Sequence, residues 1–373
     1  YKQALIERCE CEYLIGRYEK AEALFDRAIK EANSDFDKAD ILSRKMIVYE
    51  NTQEHPKAID AGIQALAILG LDFPTEDRPE ILATEFPEVQ ALLSELSIEE
   101  LLDHRMMDDP DQLLTLKTLM NLWGPLYLLA RQSQLAWMVL RMVRLSVLHG
   151  NSIESAVAYA FYGYLISATA HLYHEGYEYG QLGIKLNSKI DDKTMRSKVL
   201  VIAEGCISHW KDPYHEILPK VTRAYEIGIE TNDIIYAGYA ITFMVRCHLR
   251  GERNLNSSYE VYKDLLQFAI KIKHELTHQF LLAWMRFIVK MADITPDESA
   301  FGEWVEEEAH VAHMKSLSED KGVHYYLATH YISESIYHYH LGNYDKGLEY
   351  SEVTLPIFHS VTGLYEFAEH PIY

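Results

Sequence analysis

Leu145 to Leu186 reads LSVLHGNSIESAVAYAFYGYLISATAHLYHEGYEYGQLGIKL, and this stretch decides the fold. A helix ends at His149-Gly150. Asn151 or Ser152 caps the next one, with Glu154 three residues after Asn151 as a capping box requires. A long helix follows, crowded with small and aromatic residues. A tight turn is expected at Glu175-Gly176, and a second helix then starts with Tyr177, Tyr179 and Gly180. The unit is a helical hairpin.

Similar hairpins are expected along the rest of the chain. Turn signals recur at Asn151, Asp191, Asn232 and His274, roughly forty residues apart, which is the period of a two-helix solenoid unit. Gly176, Pro213 and Gly251 split the pairs. Near the start, Gly16-Arg17-Tyr18-Glu19-Lys20-Ala21 makes a turn, with Phe25 and Ala28 following at helical spacing. These residues resemble the tetratricopeptide repeat, in which a Gly-x-Tyr-x-x-Ala turn precedes Phe and Ala. A second pair matches at Tyr49, Ala58 and Ala65 and departs at Gln53, His55 and Gly62. Gly342-Asn343-Tyr344-Asp345-Lys346-Gly347 resembles the same turn. Residues 70–112 break the rhythm with Pro74, Pro79, Pro87 and Pro110 and dense acid, yet hold helix starts at Ser97 and Asp109-Pro110. The expected fold is therefore all-α: an α-solenoid of tetratricopeptide-like hairpins in a right-handed superhelix. Residues 1–69 form N-terminal hairpins, 70–112 a bridging insertion of short helices, and 113–373 the main block.

The length of 373 residues exceeds what one compact core usually supports but suits a solenoid. The chain begins at Tyr1 and closes at His370-Pro371-Ile372-Tyr373 without a polar capping helix, so it reads as a piece of a larger polypeptide. A formal charge of -21 repels phosphate backbones and anionic lipid heads, which argues against nucleic-acid and membrane partners. No apolar run reaches membrane-spanning length. Cys9, Cys11, Cys206 and Cys247 form no CxxC and no disulfide framework, which fits a cytoplasmic chain.

His274-Glu275-Leu276-Thr277-His278 is an HExxH sequence, the arrangement in which two His bind Zn²⁺ and Glu activates water. Glu298 lies where some zinc hydrolases place a third ligand. The repeat period instead puts His274 in a turn between hairpins, and Thr295-Pro296-Asp297-Glu298 reads as a capping box. A zinc hydrolase is thus the least favoured reading, and no catalytic or metal-ligating residue and no cofactor is assigned. His310 with His313, and His338 with His340, are close pairs best read as solvated or hydrogen-bonded. No phosphate loop, dinucleotide fingerprint or nucleophile elbow is present.

Tyr159, Phe161, Tyr162, Tyr164, Tyr173, Tyr177 and Tyr179 cluster around one hairpin in a chain with 26 Tyr. Most are expected to pack between helices. In a tetratricopeptide-like frame the first helix of each pair lines the concave side, which points Tyr162, Thr169, Tyr173, His248 and Tyr339 inward as candidate partner-binding residues.

Met107-Asp108-Asp109-Pro110, Leu145-Ser146 with His149-Gly150-Asn151, Gly180-Gln181-Leu182, Ala224-Tyr225, Gly228-Ile229-Glu230 and Tyr236-Ala237-Gly238-Tyr239-Ala240 carry a wider likeness. They resemble the helical region of large multidomain signalling ATPases of the STAND type. There it follows the NTPase, often behind a Ser/Thr kinase-like domain, and precedes GAF and histidine-kinase modules. The resemblance implies a non-catalytic sensor or scaffold that binds a protein or peptide and regulates flanking ATPase or kinase domains. A small-molecule effector site is the alternative. Any enzymatic activity would lie outside this chain.

Overall fold

The computed structural model describes residues 2–251, 254–272, 274–295 and 306–361. The expected cap at Pro296-Asp297-Glu298 and the closing His370-Pro371-Ile372-Tyr373 lie outside them. The fold is all-α. Among the described residues the sole β pairing is a single parallel bridge between Met106 and Asn151. The chain forms two compact units, Tyr1–Ala158 and Tyr159–Tyr373.

In the first unit, helices α1 (Lys2–Leu14) and α2 (Tyr18–Lys30) pair, as do α3 (Asp35–Asn51) and α4 (His55–Ile68). Phe25, Ala21 and Ala28 are buried where the tetratricopeptide pattern puts them. Next come α5 (Leu82–Ser94), α6 (Ile98–Leu102), α7 (Pro110–Asn121), α8 (Trp123–Leu128) and α9 (Gln132–His149). Residues 70–112 hold α5, α6 and the start of α7, and α5 packs on α9. Glu85 bonds Arg141 at 2.7 Å, and Gln134 Nε2 donates to the Pro74 carbonyl at 2.6 Å. Asn151 fastens the end of the insertion, donating to the Leu101 carbonyl from its side chain and to the Arg105 carbonyl from its backbone. A Cβ at Gly150 would stand 2.6 Å from that Arg105 carbonyl, so only glycine fits there.

Helix α10 (Ile153–Ala170) starts on a reciprocal cap. The Ser152 hydroxyl accepts from the Glu154 and Ser155 amides, and the Ser155 hydroxyl accepts from the Ser152 amide. Asn151 is engaged elsewhere and Ser155 takes the reciprocal role, not Glu154.

The second unit continues with α11 (Tyr173–Ile190), α12 (Arg196–Leu200) running into a π-helical turn (Val201–Ile207), α13 (Tyr214–Thr231), α14 (Ile234–Gly251), α15 (Leu255–Ile272) and α16 (Glu275–Ala292). Helices α17 (Glu307–Lys321), α18 (Tyr325–His340) and α19 (Tyr344–Thr354) close it. Asp191, Asn232 and Asp293 end their helices in the left-handed conformation. Two of these are turns that the sequence period locates.

The α10–α11 turn lies at His171-Leu172, not at Glu175-Gly176. Gly176 is inside α11, and its role is packing. A Cβ on it would meet the Ser167 hydroxyl at 1.9 Å and the Gly163 carbonyl at 2.6 Å. Gly163 and Gly176 let the two helices approach closely. The turn itself recurs. Gly16, Gln53, Ala130, His171 and Gly342 all have φ between 54° and 81°. The next residue has φ from -82° to -89° and ψ from 56° to 69° at all five places. The fourth residue after that is a buried Ala21, Ala58, Leu135, Gly176 or Gly347. One backbone turn therefore builds five hairpins, although only two of them carry the glycine.

Candidate functional site

The HExxH residues serve the helix and its neighbours. His274 is the N-cap of α16, its Nδ1 accepting from the Thr277 amide at 3.4 Å and facing the Thr277 hydroxyl at 2.7 Å. Its ring fits against Gly238 of α14, where a Cβ would lie 2.4 Å from Nδ1. Burial lowers its pKa to about 4. Glu275 turns toward α17 instead, where its Oε1 lies 3.0 Å from His313 Nε2 while also accepting from Gln279 Nε2 at 2.9 Å. His274 and Glu275 thus address different helices.

The five aromatic and polar candidates are dispersed. Tyr162 is buried, edge-on to Tyr179 with ring centroids 4.8 Å apart. Thr169 is exposed near the end of α10 and bonds back to the Leu165 carbonyl. Tyr173 stacks on Trp210 at 4.4 Å. His248 lies edge-on to Tyr262. Tyr339 is exposed beside Tyr344 at the end of α18. None of the five lines the cleft that the second unit does form.

That cleft, of about 730 Å³, lies among α17, α18 and α19. Glu307, Lys315, His330, Tyr331, Glu349 and Tyr350 are among its walls. Charge is concentrated beneath it. Lys290, one turn along α16 from Arg286, sends its ammonium to Glu307 Oε1 at 3.0 Å and Glu334 Oε1 at 2.7 Å. The Glu334 side chain is 3% exposed and that of Glu307 36%. This difference decides how they titrate. Burial raises the Glu334 carboxyl above its ordinary value in spite of Lys290. Burial also pushes Glu307 upward, but the Lys290 bond and the nearby His330 and Arg286 outweigh it and leave it lowered. For Lys290 burial acts downward, and the two carboxylates together raise it.

Histidines complete the cluster. His310 is fully buried between Arg286 Nε, 3.2 Å from its Nδ1, and Gln279 Oε1, 2.6 Å from its Nε2. That pairing assigns the neutral tautomer with its proton on Nε2. Burial and then the Arg286 charge lower its pKa to about 2. His330 is 2% exposed, and burial lowers its pKa to about 4. Its Nδ1 has no hydrogen-bond partner, and its Nε2 stands 4.0 Å from Glu307 Oε1. His338 repeats this: an unpartnered Nδ1, and Nε2 at 4.0 Å from Glu334 Oε2. Its ring stacks on Tyr350 at 5.6 Å.

The structure rearranges the histidine pairs noted in the sequence. His310 and His313 face different partners on α16, and His338 is buried while His340 is exposed. The grouping that matters is His330, Glu334 and His338, spaced i, i+4, i+8 on one stripe of α18. Arg286 and Lys290 make a matching i, i+4 pair in the apolar second half of α16. Both spacings are visible in the sequence.

A second cleft, of about 710 Å³, lies in the first unit around Glu85, Trp137, Arg141 and Arg144. Its charges are matched internally, with Arg141 and Arg144 on Glu85 and the Arg141 guanidinium 4.9 Å from the Trp137 ring. Glu85 Oε1 and Arg141 Nε are nonetheless buried without a hydrogen-bond partner there, as His330 Nδ1 is at the α17–α19 cleft. None of the four cysteines is in a disulfide, and burial raises Cys9 to about 11 and Cys247 to about 12. Among the described residues no helix is long and apolar enough to cross a membrane. Comparison with protein-family models and with curated proteins gives no match for the chain.

Proposed function

We propose that the chain is a non-catalytic sensor and interaction module that binds a peptide segment of a protein partner. In the arrangement that the STAND-type resemblance implies, it regulates an attached ATPase or kinase in the cytoplasm. The α17–α19 cleft carries this reading. Its volume suits a few side chains of a bound segment. Glu306, Glu307, Glu308 and Glu349 outnumber Lys315 and Lys346 on its walls, and Tyr331 and Tyr350 offer ring faces. Carboxylates with aromatic faces favour a lysine or arginine side chain over an acidic one. Regulation requires that the segment bind one state of the larger protein better than another.

The test is fluorescence anisotropy with labelled basic peptides and acidic peptides of equal length. Basic peptides should bind, with affinity falling as salt rises. Glu349→Lys and Tyr331→Ala should weaken binding at unchanged melting temperature. If Glu349→Lys binds as well as the wild type, the cleft is not the receptor. A small-molecule effector site is the second reading, favoured by the same cleft volume. An added organic mass in native mass spectrometry would select it.

A further inference from the structure

We propose that Glu307, His330 and Glu334 form a binding site for a borderline divalent cation of the zinc type, which enters by displacing the Lys290 ammonium. One ligand atom from each of the three residues lies within 4.8 Å of the others. Imidazole with two carboxylates suits zinc or cobalt, whereas calcium and magnesium prefer all-oxygen shells. Ligands around a tetrahedral ion at about 2.0–2.2 Å stand about 3.5 Å apart, so the three must close in by about 1 Å.

Two further observations point to a ligand here. His330 is almost wholly buried yet its Nδ1 has no hydrogen-bond partner, and its Nε2 comes no nearer than 4.0 Å to Glu307 Oε1. A buried imidazole held this way satisfies no hydrogen-bonding need of the fold. The cleft also leads to the site, since Glu307 and His330 both line it. It provides the entry path and an open coordination position. His338, one turn beyond Glu334, stands 4.0 Å from the other carboxylate oxygen, beyond hydrogen-bond distance.

Lys290 is the present cation of this site. It bonds to both carboxylates and so ties α16 to α17 and α18. A divalent ion would take over the two carboxylates, keep α17 joined to α18, and release Lys290. The exchange alters which helix is held to the pair. It does not depend on the peptide-binding reading of the cleft.

The experiment is calorimetric titration of the full chain with zinc chloride, together with visible absorption of the cobalt(II)-loaded chain. The expectation is one ion per chain and a cobalt spectrum with the intensified bands of low coordination. His330→Ala should lower affinity by about tenfold or more. Lys290→Met, which removes the competing ammonium, should bind more tightly, and His340→Ala should bind as the wild type does. Calcium and magnesium should not compete. Wild-type affinity in His330→Ala, or a cobalt spectrum matching the aqueous ion, would overturn the proposal. If Lys290→Met does not fold, the cobalt spectra of the wild type and His330→Ala decide it by themselves.

Discussion

Replacing Lys290 with Met removes the ammonium bonded to both Glu307 and Glu334 while keeping most of the side-chain volume. Breaking a buried ion pair by deleting one partner costs about 3–5 kcal/mol, because the remaining charge is left uncompensated. Two features reduce that figure here. Lys290 is itself 25% exposed, and Glu307 is exposed enough to find water once released. Glu334 is not, so the cost rests mainly on it, and about 3 kcal/mol is expected near pH 8. The pH dependence identifies the cause. Burial already raises the Glu334 carboxyl, and loss of Lys290 raises it further. A carboxyl whose folded pKa exceeds its unfolded value binds more protons in the folded state. Its contribution to stability therefore grows as pH falls through the folded pKa. The deficit of Lys290→Met relative to wild type should shrink by up to about 1.4 kcal/mol per pH unit on acidification below the Glu334 pKa of the variant. Urea denaturation followed by circular dichroism, at about pH 8 and about pH 5.5, measures both terms. Adding Glu334→Gln to the Lys290 variant should recover stability at the higher pH. A variant as stable as wild type near pH 8, or a deficit that does not change with pH, would refute this account of the cluster.

Acid should weaken the second unit through its histidines. His310 and His330 are buried and lowered to about 2 and about 4 from the ordinary 6.5. Below pH 6.5 the unfolded chain protonates them and the folded chain does not, so stability is lost as pH falls. The two together account for about 4 kcal/mol between about pH 7 and about pH 5, readable in the urea midpoint. Gly163→Ala should cost about 1–3 kcal/mol, because its Cβ would lie 2.4 Å from the Gly176 carbonyl; a thermal melt unchanged from wild type would contradict the close approach. Ala130→Gly should stabilise by up to about 1 kcal/mol, since Ala130 holds φ at 54°, where glycine is not strained. His274→Ala should cost about 1 kcal/mol through the lost cap of α16, and the melting temperature reports it.

Much of the fold was legible because its signals are local. Gly16, Tyr18, Ala21, Phe25 and Ala28 announce a hairpin, and the structure places a left-handed Gly16 and buried Ala21, Phe25 and Ala28 there. Gln53 departs from the pattern within a pair that Tyr49, Ala58 and Ala65 still announce, whereas nothing at Ala130 or His171 announces the same turn. The backbone there needs a positive φ, and a non-glycine residue can adopt it at about 1–2 kcal/mol when the packing on either side compensates. Glycine content therefore points to a turn at Gly176, while the α10–α11 turn stands at His171. The glycine signal was real, but it reported two helices in close approach. Spacing alone does not distinguish a glycine that turns the chain from one that lets another backbone near.

The candidate site was less legible for a different reason. Motif reading rewards residues adjacent in sequence, and HExxH is such a run. Its first two residues diverge because His274 stands at the helix start, where one residue faces back to α14 and the next forward to α17. The cluster under the cleft is instead assembled from two or three residues on each of three helices. Its positions are those an amphipathic helix would ordinarily give to apolar side chains, since Glu334 and His330 are as buried as the neighbouring Ile332 and Ile336. Ionic groups at such positions add little net stability compared with well-packed hydrophobic residues, so stability alone does not explain them. The Lys290 bonds show how the charge is tolerated, but they leave a buried imidazole nitrogen of His330 unmatched. A polar group without a partner beside an open cleft is therefore a stronger pointer to a ligand than any short run in this sequence.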